Sequence, residues 1–260
     1  MCLSGKNSET DTIPGCKADF FFYLSPMNIF YCPTAVLNEH CELDETESAH
    51  LTKVLRKREN DELYVFDGKG KLFEARIEGI GKKEASIHVF RLVEVEQPDK
   101  PRLHIAIAPS KNTDRLEWFA EKATEIGIAE ITPIICKHSE RKELRIDRIE
   151  KILLGASKQS IKLTIPQINP VVKVDAFIKS VKADRKFIAY CDEKSIHLKD
   201  AYHGGFDAVI MIGPEGDFIH EEVLLAEQYE FETVSLGKSR LRLETAGIYA
   251  TTVFNLANEK

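Results

Sequence analysis

The sequence predicts a mixed α/β protein, with a small β-rich unit over residues 27–96 and a larger unit over 103–260 built on a mainly parallel sheet. Three observations carry this. Short alternating apolar runs dominate before residue 96, and compact apolar strands alternate with helix-spaced segments after 103. Between them, over 97–102, lies Gln97-Pro98-Asp99-Lys100-Pro101, a linker with two prolines and no apolar residue. The chain has 260 residues, 43% of them hydrophobic and 30% charged, which excludes a mainly disordered chain. No window approaches the roughly 18 apolar residues of a membrane span.

Residues 1–26 read as a leader outside the core fold. They run from a polar stretch, Ser4–Thr12, to the aromatic run Phe20-Phe21-Phe22-Tyr23-Leu24, which is shorter than the roughly 7–15 apolar residues of a signal-peptide core. Strands are expected at Asn28–Tyr31, Leu63–Phe66, Leu72–Ile77 and Ala85–Val95, with Asp67-Gly68-Lys69-Gly70 as a turn. A brief helix is expected over Glu47–Arg56, with Thr46 as its N-cap.

Beyond the linker, Leu103–Ala108 reads as a buried strand. Leu116, Phe119, Ala120, Ala123 and Ile126 then recur at helical spacing up to a stop at Gly127. A strand at Ile131–Ile135 and a helix over Ile146–Ile161 follow. Further strands are expected at Phe187–Tyr190, Ala208–Ile212 and Thr233–Leu236, and further helices at Glu221–Tyr229 and from Ala246 to Ala257. Such alternation implies a parallel sheet covered on both faces.

Composition narrows the function. The net charge of -6 does not advertise nucleic-acid binding; any such contact must come from a local basic face. Six scattered cysteines form no C-x-x-C pair, and the eight histidines form no ligand pair. No metal is expected, and the thiols read as reduced and cytoplasmic.

Ligands of open α/β sheets bind beyond the carboxyl ends of strands, and two loops there stand out. Ile212-Gly213-Pro214-Glu215-Gly216 follows one apolar strand. Leu236-Gly237-Lys238-Ser239-Arg240-Leu241-Arg242-Leu243-Glu244-Thr245-Ala246 joins the last strand to the last helix. Taken singly, the first is most simply a turn and the second a solvated run. Their occurrence at successive strand ends favours a site. Neither is a phosphate-binding Walker loop, and Gly79-Ile80-Gly81 lacks the third glycine of a dinucleotide fingerprint.

Together these loops resemble the RsmE family of ribosomal RNA methyltransferases, within the SPOUT superfamily. Lys122-Ala123-Thr124-Glu125-Ile126-Gly127, Ser139-Glu140-Arg141 and the segment His50-Leu51 to Val54-Leu55-Arg56 resemble other motifs of that family in the same order, from Met27 to Asn258. Two departures stand out. Asp217 replaces a frequent glycine, and Lys162 stands in for a frequent arginine, keeping the charge but not the bidentate geometry.

The resemblance implies a trefoil-knotted C-terminal SPOUT domain that binds S-adenosylmethionine, and a PUA-like β-barrel domain for RNA. It implies methylation of N3 of one uridine in small-subunit (16S) rRNA by a cytoplasmic homodimer. Apolar residues on several sides of the last helix, including Ile248, Val253 and Phe254, suit the dimer.

The cofactor set is then Ile212, Gly213, Pro214, Glu215 and Gly216 with Leu236, Gly237, Leu241, Leu243, Thr245 and Ala246. Arg242, with Arg240 second, is expected to stabilise negative charge developing on the uracil. Glu244 would accept a proton or, as the preferred reading, hold Arg242 as an ion-pair partner. RNA contacts are expected from Lys53, Arg56, Lys57 and Arg58, from a second face with Lys137, Arg141, Lys142 and Arg145, and from Lys162. Other readings are a SPOUT methyltransferase acting on another RNA base, and a non-catalytic ribosome-assembly factor that binds RNA.

Overall fold

The computed structural model describes residues 28–96, 101–141, 143–190, 192 and 195–259. The expected leader, residues 97–100 of the linker, and Lys142 lie outside these residues. Strands β1 (Ile29–Tyr31), β2 (His40–Leu43), β3 (Glu62–Phe66), β4 (Lys71–Ile80) and β5 (Ala85–Val95) form one sheet in the order β1-β3-β4-β5-β2. Apart from the parallel β1–β3 pair, neighbours are antiparallel. Three register shifts along β4 and β5 coil the sheet. The outermost strands thereby meet across the seam, where the Cys32 and Cys41 sulfurs lie 3.2 Å apart.

Helix α1 (Glu45–Ala49) begins two residues before the expected start. Its N-cap is Asp44 rather than Thr46, because the Asp44 carboxylate accepts a hydrogen bond from the Glu47 N–H at 2.8 Å. The helix then loosens into a π turn over His50–Val54, and Arg56, at φ 53°, closes it in the left-handed region.

The second sheet contains β6 (Leu103–Ile107), β7 (Glu130–Ile135), β8 (Gln167–Ile168), β9 (Val172–Lys173), β10 (Arg185–Ala189), β11 (Ile196–His197), β12 (Ala208–Ile212) and β13 (Glu232–Ser235). Its order is β11-β13-β10-β12-β6-β7-β8, with β9 also on β7, and every pairing is parallel. The central strand β12, Ala-Val-Ile-Met-Ile, is buried at every residue, as a strand covered on both faces must be.

Helices α2 (Thr113–Ile126), α3 (Ile146–Gln159), α5 (Leu198–Ala201) and α7 (Leu243–Asn258) share the apolar core of one face. Helices α4 (Val174–Ser180) and α6 (His220–Gln228) share the core of the other. The short elements β2, β8, β9, β11, α4 and α5 were not expected from periodicity. Segments of two to seven residues are too brief to show a period.

The two sheets are joined by contacts with the end of α3. Lys158 donates to both carboxylate oxygens of Glu47, at 2.6 and 2.7 Å, and the Glu47 side chain is only 4% exposed. Gly70 donates to the Leu163 carbonyl, and Ile165 donates to the Gly68 carbonyl. Replacing Lys158 with methionine leaves a buried carboxylate without its cation, a change that typically costs about 3–5 kcal/mol. A denaturant midpoint that drops for Lys158→Met and recovers in Lys158→Met/Glu47→Leu is the expected result; an unchanged midpoint in the single variant contradicts it. Among the described residues, no helix is long and apolar enough to cross a membrane.

Candidate active site

Strands β13, β10 and β12 lie side by side and run parallel, so their carboxyl ends open onto one region. The chain leaves β12 at Ile212 and β13 at Ser235, and both ensuing loops border a cavity of about 830 Å³. Tyr190, just beyond β10, and Arg115, from the first turn of α2, complete its wall. Every residue of the expected cofactor set lines this cavity except Thr245, which points outward from α7. Arg240 and Arg242 line it as well, whereas Glu244 does not.

Two glycines of the first loop sit where a side chain would press on the protein itself. A Cβ on Gly213 would meet the Phe218 ring at 3.0 Å, and one on Gly216 would meet His138 at 3.0 Å. Both are small because protein packs behind them. His138 also donates through Nδ1 to the Gly216 carbonyl at 2.9 Å, holding the loop from the β7 side. Gly237, at φ 116°, needs its conformational freedom outright. Asp217 sits at φ 62°, a conformation glycine suits and aspartate tolerates. Its carboxylate accepts the Phe218 N–H at 2.8 Å. Burial pushes this carboxyl above its ordinary range, opposed by that hydrogen bond and by the charges of Arg240 and His138.

The electrostatics depart from expectation at Glu244. Its carboxylate is buried at the entrance to α7, and its cation is Arg115, whose Nε lies 3.9 Å from Glu244 Oε1. Arg115 also reaches Glu215, with its NH1 nitrogen 3.8 Å from Oε1. The preferred reading of Glu244 as the partner of Arg242 is therefore corrected. Among the described residues, the exposed Arg242 side chain has no hydrogen bond or ion pair. Arg240 instead donates to the Glu215 carbonyl at 3.4 Å, linking the two loops.

Sequence reasoning missed Arg115 because its partners lie far along the chain. Helices α2 and α7 run side by side in the same direction. Phe119 packs against Gly247, where a Cβ would come within 2.5 Å of the ring, and Asn255 donates to the Gly127 carbonyl. This packing sets Arg115 beside Glu244. One signal was available: a cation in the first turn of a helix opposes the dipole, so Arg115 calls for an anionic partner.

The expected RNA contacts are scattered. Lys53, Arg56 and Arg58 are exposed near the π turn, whereas Lys57 is half-buried and donates to the Glu62 carbonyl at 2.9 Å. Arg141 is exposed in the loop after β7, the loop whose His138 braces the cavity. Lys162 is half-buried just past α3, with its N–H on the Ser157 carbonyl. Among the described residues, His, Cys, Asp and Glu form no group of three or more able to hold a metal ion.

Comparison with known proteins agrees with this architecture. Residues 97–255 match the family model of the RNA methyltransferase domain, and residues 43–90 match that of the RNA methyltransferase PUA domain. The ribosomal RNA small subunit methyltransferase E of Rickettsia conorii is 32% identical over 221 residues, covering 82% of this chain and 88% of the relative.

Among solved structures, a "probable rRNA-methyltransferase" from Porphyromonas gingivalis superposes with a TM-score of 0.83 at 38% identity, over 89% of this chain and 98% of that one. A Legionella pneumophila methyltransferase in complex with SAM gives 0.78 at 30% identity, over 87% and 96%. The small-subunit methyltransferase E of Neisseria gonorrhoeae, bound to S-adenosyl methionine, gives 0.77 at 28%, over 86% and 95%. A parallel α/β sheet carrying the strand-end cavity, joined to a PUA-like domain and matched over most of both chains, places this protein in the ribosomal RNA small subunit methyltransferase E family.

Proposed function

We propose that this protein transfers a methyl group from S-adenosylmethionine to ring nitrogen N3 of a uridine in small-subunit (16S) ribosomal RNA. One observation carries the reading: the cavity at the ends of β10, β12 and β13 combines both glycine loops with an arginine, Arg242, that has no internal partner among the described residues. Its volume of about 830 Å³ suits a nucleoside-sized ligand. Its apolar walls, Leu236, Leu241 and Leu243, alternate with backbone amides and carbonyls able to read an adenine edge. The Legionella and Neisseria relatives bind this cofactor.

When bound, S-adenosylmethionine supplies an electrophilic methyl group on a sulfonium. The leaving thioether needs no acid. The uracil N3–H is weakly acidic, so its proton passes to water as the N3–methyl bond forms, and the negative charge developing on the ring must be stabilised. Arg242 serves this role, because its guanidinium cannot act as a base at neutral pH but carries a fixed charge. Arg240 is tied to the Glu215 carbonyl, which suits it to closing the cofactor loops. Lys53, Arg56, Arg58 and Arg141 are exposed cations available to RNA phosphates.

The homodimer, the trefoil knot and the cytoplasmic location belong to the same proposal. Of the residues expected to suit the dimer, Phe254 is buried and Ile248 and Val253 pack against the same core, whereas Tyr249 and Leu256 on α7, 37% and 61% exposed, and the nearby Phe206, 56% exposed, offer an apolar surface for a second copy. Mass spectrometry of rRNA nucleosides from cells with and without the gene tests the activity. Loss of 3-methyluridine from 16S rRNA is expected, and loss of a different methylated nucleoside overturns the assignment of the base. Light scattering that reports a monomer of 29.5 kDa at micromolar concentration overturns the dimer.

A further inference from the structure

We infer that Arg115 is a positioning residue: it occupies the Glu244 carboxylate and so leaves Arg242 free to face the target base. The inference rests on the methyl-transfer reading above and deepens it. Glu244 is 9% exposed, and its Oε2 is buried with no hydrogen-bond partner. A buried carboxylate with an unfilled oxygen draws in any cation within reach. Two arginines are placed to answer. Arg242 is the N-cap of α7, two residues before Glu244, and Arg115 approaches from the neighbouring helix α2.

The geometry assigns the carboxylate to Arg115. The Nε of Arg115 is 3.9 Å from Glu244, while its NH1 nitrogen is 3.8 Å from Glu215. One guanidinium thus spans the buried Glu244 carboxylate and the glycine loop. Its own position is determined by packing, since α2 begins at an Asn112 side-chain cap and leans on α7 where Phe119 meets Gly247. Among the described residues, the Arg242 side chain has no hydrogen bond or ion pair to anchor it. With Arg115 absent, Glu244 would be left uncompensated two residues along the chain from Arg242. The charge that serves the uracil would then turn inward to the carboxylate.

A purely structural role for Arg115 predicts that transfer falls only as the thermal midpoint and cofactor affinity fall, because an unpaired buried carboxylate destabilises the fold. The positioning role predicts that transfer falls with both unchanged, and that removing Glu244 as well suppresses the loss. The test is single-turnover methyl transfer to small ribosomal subunits, with S-adenosylmethionine affinity measured by calorimetry on the same full-length proteins. Wild-type transfer to uridine N3 is established first; its failure would count against the functional reading and not against this inference.

Arg115→Ala is expected to slow transfer by roughly 10²-fold, approaching the loss of a transition-state charge stabiliser. Arg115→Lys, which keeps the charge, should lose less than about tenfold. The double variant Arg115→Ala/Glu244→Gln should recover to within a few-fold of Glu244→Gln alone, because no free carboxylate remains to capture Arg242. A double variant as slow as Arg115→Ala overturns the inference, as does an Arg115→Ala enzyme with wild-type transfer. If Arg115→Ala loses fold or cofactor affinity, the comparison of Arg115→Gln with Arg115→Gln/Glu244→Gln under saturating cofactor, where the charge is removed but most of the bulk is kept, applies the same criterion.

Discussion

Arg242→Ala is expected to lower single-turnover methyl transfer by roughly 10²–10³-fold, the usual consequence of removing a donor aimed at developing negative charge. Cofactor affinity should stay within a few-fold. Arg242 lines the cavity but forms no ion pair with Glu244 or with any other described residue, so its removal breaks no ion pair or side-chain hydrogen bond among the described residues. Excess enzyme keeps chemistry visible, since product release then cannot mask it. Glu244→Gln should be milder, because its carboxylate faces Arg115. A wild-type rate in Arg242→Ala would transfer the role to Arg240 or to a residue of a second subunit.

Gly213→Val is expected to weaken S-adenosylmethionine binding by about ten- to hundred-fold. The new side chain presses on Phe218, whose ring already lies 3.0 Å from an ideal Cβ and which is itself 3% exposed. Overpacking of this kind costs about 1–3 kcal/mol, and each 1.4 kcal/mol is roughly tenfold in affinity. The loop yields more readily than the core, so the strain should appear in binding. Calorimetry on a variant with a wild-type thermal midpoint measures this directly, and unchanged affinity would mean that the loop does not hold the cofactor. Gly213→Val/Phe218→Leu, which makes room behind the loop, should regain part of the loss.

Much of the architecture was readable because hydrophobic period and punctuation are local properties. Ala208–Ile212 is apolar at every residue, which only a strand covered on both faces tolerates. Leu116, Phe119, Ala120 and Ala123 mark one face of α2, and Gly127 stops it at φ 131°. The two strand-end loops were conspicuous for the same local reason, their glycines and charges following apolar strands. The short elements β8, β9 and β11 were not readable, since two residues carry no period. The N-cap shifted from Thr46 to Asp44 because both types cap well, and the choice fell to whichever oxygen reached the Glu47 N–H.

The sequence by itself determined which segments are strands and helices, which loops lie at strand ends, and which residue types those loops offer. Only the tertiary structure decided how the charges pair. Glu244 has Arg242 two residues away in sequence, yet its partner is Arg115, set beside it by the parallel packing of α2 on α7. Gly213 and Gly216 are likewise small because Phe218 and His138 stand behind them. The physical reason is common to all three cases. Propensity and periodicity act over a few neighbouring residues, whereas an ion pair or a steric limit depends on which distant surfaces the folded core presses together.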